Sequence, residues 1–340
     1  MKLIDAHCHV SPADYPAAPG DAIRGSWPCM QRHEDGRHVM MIGDAPFRTL
    51  DGRSWDVGRR LDDMDRDGVA IQVLSPMPEL LSYWLPRDDA AMLCDWANHQ
   101  IAEMIARAPS RFRGLGAVPL QDPAVAADHL GGLRSRFGLS GVEIGSNIAG
   151  VMLGDARFDP FWAAAEAENL AVFVHALHPV AAKSVPADRS FAAFALFPVD
   201  VGMAASSLLM SGVVDRFPRL RIGFSHGGGT LGAVLGRLDL GWERSRGFGE
   251  KAASRPSAAA RRLFYDSNVY DPVYLSHLAT RIAPGKVFVG TDYPYDVMQT
   301  APADFIAAGT LDGAALESMR STAASAFLDE DLSSAVRQDQ

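Results

Sequence analysis

The sequence predicts a (β/α)₈ TIM barrel with a long loop insertion after the first strand. Three observations predict it: eight short strand-like runs, helical periodicity between them, and polar residues that close several of the runs. The runs are residues 2–10, 69–75, 112–119, 141–145, 170–176, 220–225, 263–268 and 286–292, most of them rich in β-branched or aromatic residues. Between them, Ala91, Cys94, Ala97, Ile101, Met104 and Ile105 recur at helical spacing, as do Val201, Ala204, Leu208 and Leu209, then Leu231, Val234, Leu235, Leu238 and Trp242. These stripes read as core-facing helix surfaces, and residues 314–327 read helical as well. Strands alternating with helices pair in parallel through right-handed crossovers, and eight such units close into a barrel. A doubly wound open sheet is the alternative, but no GxGxxG follows the first strand.

The 340 residues suit one large barrel domain spanning 1–340. Residues 11–60 are rich in Gly, Pro and Arg and poorly periodic; an insertion after the first strand would overhang the mouth of the barrel. Apolar residues make up 48% and charged residues 21%, enough for a large core and too few charges for wholesale disorder. The net charge of −9 argues against a nucleic-acid partner that tracks phosphates. Three cysteines, Cys8, Cys29 and Cys94, form no regular framework, which points to a reducing, cytoplasmic setting. No secretory leader is evident, because Asp5, His7 and His9 interrupt the first apolar stretch, and no run approaches the roughly 20 apolar residues of a membrane span.

Polar residues at the strand ends carry the chemistry. In Ile4-Asp5-Ala6-His7-Cys8-His9-Val10, period-two alternation points His7 and His9 to one side of the strand, about 7 Å apart along it. His175 closes the fifth run, His226 the sixth before Gly227-Gly228-Gly229, and Asp292 the eighth. Any one of these alone is as well explained by a cap or a buried hydrogen-bonded residue. Together they occupy the ends of strands 1, 5, 6 and 8, the rim where barrel enzymes place their chemistry.

Three neutral imidazoles and one carboxylate suit Zn²⁺, with Mn²⁺ as the other candidate, and such an ion lowers the pKa of its water to about 7. His226 and Asp292 could then manage protons. A second ion would want a bridging acid, such as a carboxylated lysine at the fourth strand. Glu143 and Gly145 stand there and none of the four lysines does, so one ion per chain is expected. Glu143 reads equally as a group supporting the ligands or as a packed core acid.

The pattern of His7-x-His9, His175, His226 and Asp292 resembles the amidohydrolase superfamily. Phe224-Ser225-His226-Gly227-Gly228-Gly229, Leu235-Gly236-Arg237-Leu238-Asp239, Gly290-Thr291-Asp292-Tyr293-Pro294 and Val118-Pro119-Leu120-Gln121-Asp122 are similar to a narrower branch, the decarboxylases like 2-amino-3-carboxymuconate-6-semialdehyde decarboxylase. The resemblance spans nearly the whole chain. It implies Zn²⁺ held by His7, His9, His175 and Asp292, His226 as the catalytic acid/base, and non-oxidative decarboxylation. It further implies Arg48 as the partner of a substrate carboxylate, and Arg237 as a substrate-binding residue contributed by the neighbouring subunit of a homodimer. The branch has an active-site tryptophan after the fifth strand; this chain has Phe191, Phe194 and Phe197 there, which implies a different substrate.

The expected protein is thus a cytoplasmic lyase of aromatic catabolism acting on a small unsaturated or aromatic carboxylic acid, with no nucleic-acid or membrane partner. A hydrolase or hydratase acting on a ring-cleavage product through the same metal is the alternative.

Overall fold

The computed structural model describes residues 2–185 and 189–337. Eight parallel strands follow one another around a barrel: β1 (Leu3–Val10), β2 (Val69–Pro76), β3 (Phe112–Gly116), β4 (Gly141–Gly145), β5 (Ala171–His175), β6 (Arg221–Phe224), β7 (Phe264–Asp266) and β8 (Val287–Phe288). Each pairs with its neighbour in sequence. Parallel bridges from Asp5 to Val289 and from Cys8 to Tyr293 bring the last strand against the first. Every residue of β1, β2, β4 and β5 is buried, as expected for strands covered on both faces.

The helices begin and end on local signals. Asp56 caps Val57–Asp67 by accepting from Arg59 N–H, and Gly68 ends it in the left-handed region at φ 71°. Asp122, last residue of the Val-Pro-Leu-Gln-Asp motif, caps Pro123–Phe137 in the same way. The expected helical faces lie on Arg87–Arg107, Phe197–Ser211 and Leu231–Arg244. By length and composition Ala192–Ser211 is long and apolar enough to cross a bilayer, unlike the expectation that no run approaches a membrane span. Val201, Ala204, Ala205, Leu208 and Leu209 bury its inner face in the core, and it encloses the buried carboxylate of Asp200.

Phe173 of β5, Phe264 of β7 and Phe288 of β8 gather around Phe327 of Ala323–Leu328, with ring centroids 5.1–6.4 Å from it. This apolar cluster adjoins the strand-end histidines: the Phe173 ring is 5.0 Å from that of His7. The insertion between β1 and Val57–Asp67 carries an antiparallel sheet of three strands, Pro28–Arg32, His38–Ile42 and Ala45–Leu50, that its weak periodicity hides. Each of those strands buries one residue, Pro28, Met40 and Leu50, and leaves the others partly or fully exposed, so neither face imposes a clean hydrophobic alternation.

Candidate metal centre and active site

Four of the expected residues meet at one point. One ligand atom each from His7, His9, His175 and Asp292 lies within 4.8 Å of all the others, and all four residues are buried. His7 Nε2 is 3.0 Å from His9 Nε2, and these nitrogens are 3.2 and 3.1 Å from Asp292 Oδ1. His175 Nε2 is 3.8 Å from the same oxygen. Neither His175 Nε2 nor Asp292 Oδ1 has a hydrogen-bond partner. Buried polar atoms are rarely left in that state, and four donors turned toward one spot with two of them orphaned fit a divalent cation.

The remaining nitrogens are tethered from behind. His7 Nδ1 is 2.6 Å from Asp266 Oδ2 at the end of β7. His9 Nδ1 faces Pro76 O at 3.2 Å, and His175 Nδ1 donates to Ala176 O at 2.9 Å. Such contacts fix the ring orientation and tautomer that leave the other nitrogen free for a metal. Asp266 is the residue that sequence reasoning missed, although it closes an apolar run as Asp292 does. It also accepts from the backbone N–H groups of His226, Gly227 and Asn268. Gly290 lets β8 lie against this pair: a Cβ there would come within 2.7 Å of the Cβ atoms of both His7 and Asp266.

The electrostatics follow from burial and one carboxylate. Burial disfavours a charged His7, but Asp292 and Asp266 outweigh it and raise its pKa to about 10. His9 and His175 are depressed to about 4 and about 3, chiefly by burial. Burial pushes Asp292 up, but the charge of His7 and the close approach of the surrounding histidines hold it well below the usual carboxylate range. The site is therefore built for an anionic Asp292 beside neutral His9 and His175, the forms that bind metal. Glu143 of β4 lies 3.6 Å behind His9 Nδ1, and its burial raises it to about 8.

His226 stands apart from the four. It follows β6 at φ 55°, its Nδ1 is 3.0 Å from Ser225 Oγ, and its Nε2 is 3.9 Å from Asp292 Oδ2. The turn after it needs glycine: a Cβ on Gly229, at φ 56°, would collide with Pro198 O at 1.8 Å. Asp292 is itself at φ 65°, so the chain leaves β8 and turns the carboxylate inward.

Arg48 reaches the rim from the strand Ala45–Leu50. Its guanidinium carbon is 4.1 Å from the centroid of the Tyr295 ring, and that ring stacks on His9 with centroids 5.1 Å apart. Glu79 Oε1 is 3.9 Å from Arg48 Nη2. Arg60, fully buried, donates to His9 O at 2.6 Å and Gln72 Oε1 at 3.0 Å, clamping the end of β1. Arg237 is exposed on the outer helix Leu231–Arg244 and does not join the cluster within this chain. Phe191 and Phe194, where the branch has its tryptophan, are exposed by 48% and 69%.

Several proteins similar to this chain are named as decarboxylases. Residues 4–337 match the amidohydrolase family model. The chain is 31% identical over 304 residues to 2-amino-3-carboxymuconate-6-semialdehyde decarboxylase of Dictyostelium discoideum, covering 89% of this chain and 84% of that one. Among solved structures, 5-carboxyvanillate decarboxylase of Sphingomonas paucimobilis is 26% identical with a TM-score of 0.78, covering 97% of this chain and 99% of that one. A dihydroxybenzoic acid decarboxylase of Polaromonas sp., solved with manganese and 2-nitroresorcinol, shares the fold at 22% identity and a TM-score of 0.72, covering 82% and 87% of the two chains. The chain belongs to the amidohydrolase family, in the branch that holds its decarboxylases.

Proposed function

We propose that this protein is a metal-dependent, non-oxidative carboxy-lyase that removes CO₂ from a small aromatic or unsaturated carboxylic acid. The observation that carries the reading is the convergence of His7, His9, His175 and Asp292 on one point, with His175 Nε2 and Asp292 Oδ1 left without protein partners. The names of the relatives support the reaction class.

When bound, a divalent ion at this point supplies Lewis acidity toward an anionic substrate. Arg48 offers a planar guanidinium, braced on Tyr295, to a substrate carboxylate. Breaking the C–CO₂ bond leaves its electron pair on the ring or vinyl carbon, and a proton must be added there as CO₂ departs. His226 is the group assigned to move that proton, because Ser225 orients its Nδ1 while its Nε2 faces Asp292. Asp292, held anionic, serves both as ligand and as the proton's neighbour.

The same reading includes one ion per chain, Zn²⁺ in preference to Mn²⁺, and residues 1–340 as one domain with 11–60 over the mouth. The reach of Arg48 from that insertion to Tyr295 supports the last point. It includes a homodimer in which Arg237 serves the neighbouring site. Met203 and Met210, exposed on Phe197–Ser211, and Leu240, exposed on the helix that carries Arg237, support such a contact. It includes a cytoplasmic setting, in keeping with three free cysteines.

The test is turnover of substituted benzoic and muconic acids by the metal-loaded protein in D₂O. Release of CO₂ with one deuterium at the vacated carbon is expected. Consumption of an acid by addition of water, without CO₂, would return the protein to the hydrolase or hydratase reading.

A further inference from the structure

Glu79 lies in the single turn Pro78–Leu81 that follows β2, so the barrel topology sets it on the same rim as the histidines. The residue is 3% exposed. Its Oε2 is buried without a hydrogen-bond partner, and its Oε1 is 3.9 Å from Arg48 Nη2, beyond hydrogen-bond reach. Ser82 donates to the backbone carbonyl of Glu79 and leaves the carboxylate alone. The hydroxyl of Tyr295, beneath Arg48, is also buried and unpartnered. Arg48 offsets the charge of Glu79 at a distance but does not satisfy its lone pairs. A buried carboxylate oxygen without a donor is unfavourable, and the arriving ligand is what can supply one.

We propose that Glu79 determines specificity by accepting a hydrogen bond from a hydroxyl or amino group on the substrate while Arg48 takes its carboxylate; this rests on the carboxy-lyase reading above. The preferred acid then carries an O–H or N–H donor as well as its carboxylate. A site built around such a donor discriminates strongly against an analogue lacking it, because the acceptor is again left unpaired. A carboxylate that merely steadied Arg48 would affect every acid alike.

The experiment is calorimetric binding of 2-, 3- and 4-hydroxybenzoate and the three aminobenzoates, each against the matching fluorobenzoate, to the metal-loaded protein. At least one donor-bearing acid should bind the wild type roughly tenfold to a hundredfold more tightly than its fluorinated partner, the range of a hydrogen bond to a charged group. Glu79→Ala should abolish that preference, the donor-bearing acid losing its advantage over the matching fluorobenzoate. Glu79→Gln, isosteric and still able to accept through its amide oxygen, should keep part of it and guards against a folding defect in the alanine variant. No preference in the wild type, no binding by any member of the panel, or equal losses for both kinds of acid would each overturn the proposal. CO₂ release is measured separately. A protein that discriminates through Glu79 yet releases no CO₂ would sink the carboxy-lyase reading and leave the role of Glu79 standing.

Discussion

Asp266 holds His7 from behind: Oδ2 is 2.6 Å from Nδ1, and both side chains are fully buried. The contact commits the Nδ1 proton of a neutral His7 to Asp266 and points the Nε2 lone pair at the other ligands. Asp266→Ala should therefore weaken metal binding about 10–100-fold, the usual effect of removing a group that supports a ligand. Competition with a chelator of known affinity measures it. Unchanged affinity in a folded variant would show that the packing around His7 orients the ring without Asp266.

His226→Ala should lower turnover by about 10²–10⁴-fold, the range of general acid–base catalysis, while metal content stays at the wild-type level. Its Nε2 reaches Asp292 Oδ2 only at 3.9 Å, and it stands outside the group of four whose donor atoms converge. His175→Ala should do the opposite, stripping most of the metal. Elemental analysis of both variants separates the two roles; loss of metal from His226→Ala would make it a ligand.

In the metal-free protein the three histidines should contribute most to stability near pH 6.5, with a decline on either side. The folded-state pKa values of His9 and His175, about 4 and about 3, lie below the ordinary 6.5. As pH falls from 6.5 toward 4 the unfolded chain takes up protons that the folded site refuses, and stability drops. His7 has the opposite sign: raised to about 10, its contribution is complete below pH 6.5 and is lost as pH rises toward 10. Metal requires His7 without a proton on Nε2, so loading should remove the alkaline decline that His7 causes. Urea midpoints across pH 4–10, with and without metal, test this. An alkaline decline of equal size in both forms would contradict the assignment.

Much of this site was legible because barrel strands place polar groups at their ends. His7 and His9 follow from alternation alone, and His175, His226 and Asp292 from their position after apolar runs. The same rule applied to Phe264-Tyr265-Asp266 would have found Asp266. Other features were hidden for physical reasons. β7 and β8 are shorter than their apolar runs, because past them the chain bends inward through residues such as Asp292 at φ 65°, which no periodicity reports. The strands of the insertion bury one residue each, so hydrophobic alternation never marks them. Glu79 and Tyr295 depend on neighbours far away in sequence, and only the closed barrel brings them to Arg48.

Arg48→Ala should impair binding of acidic substrates before it impairs anything else. The side chain is held in place by contacts that do not use up its hydrogen bonds: its guanidinium lies 4.1 Å from the Tyr295 centroid and 5.7 Å from that of Phe47. Burial works against its charge, but Glu79, Tyr295 and Asp292 outweigh burial and stabilise the cation. The donor fork therefore remains available for a carboxylate. A hydrogen bond to a charged group contributes about 1.5–3 kcal/mol, so removing it should weaken substrate affinity roughly tenfold to a hundredfold. Arg48→Lys should recover only part, because an ammonium keeps the charge but neither the two-pronged geometry nor the stacking on Tyr295. Metal content should not change in either variant, since none of the four converging ligands is altered. Equilibrium binding of a non-reactive acid to metal-loaded wild type, Arg48→Ala and Arg48→Lys gives the three affinities directly. Equal affinities, with the metal retained, would remove Arg48 from the substrate site and shift the search for the carboxylate's partner to Arg237 of a neighbouring subunit.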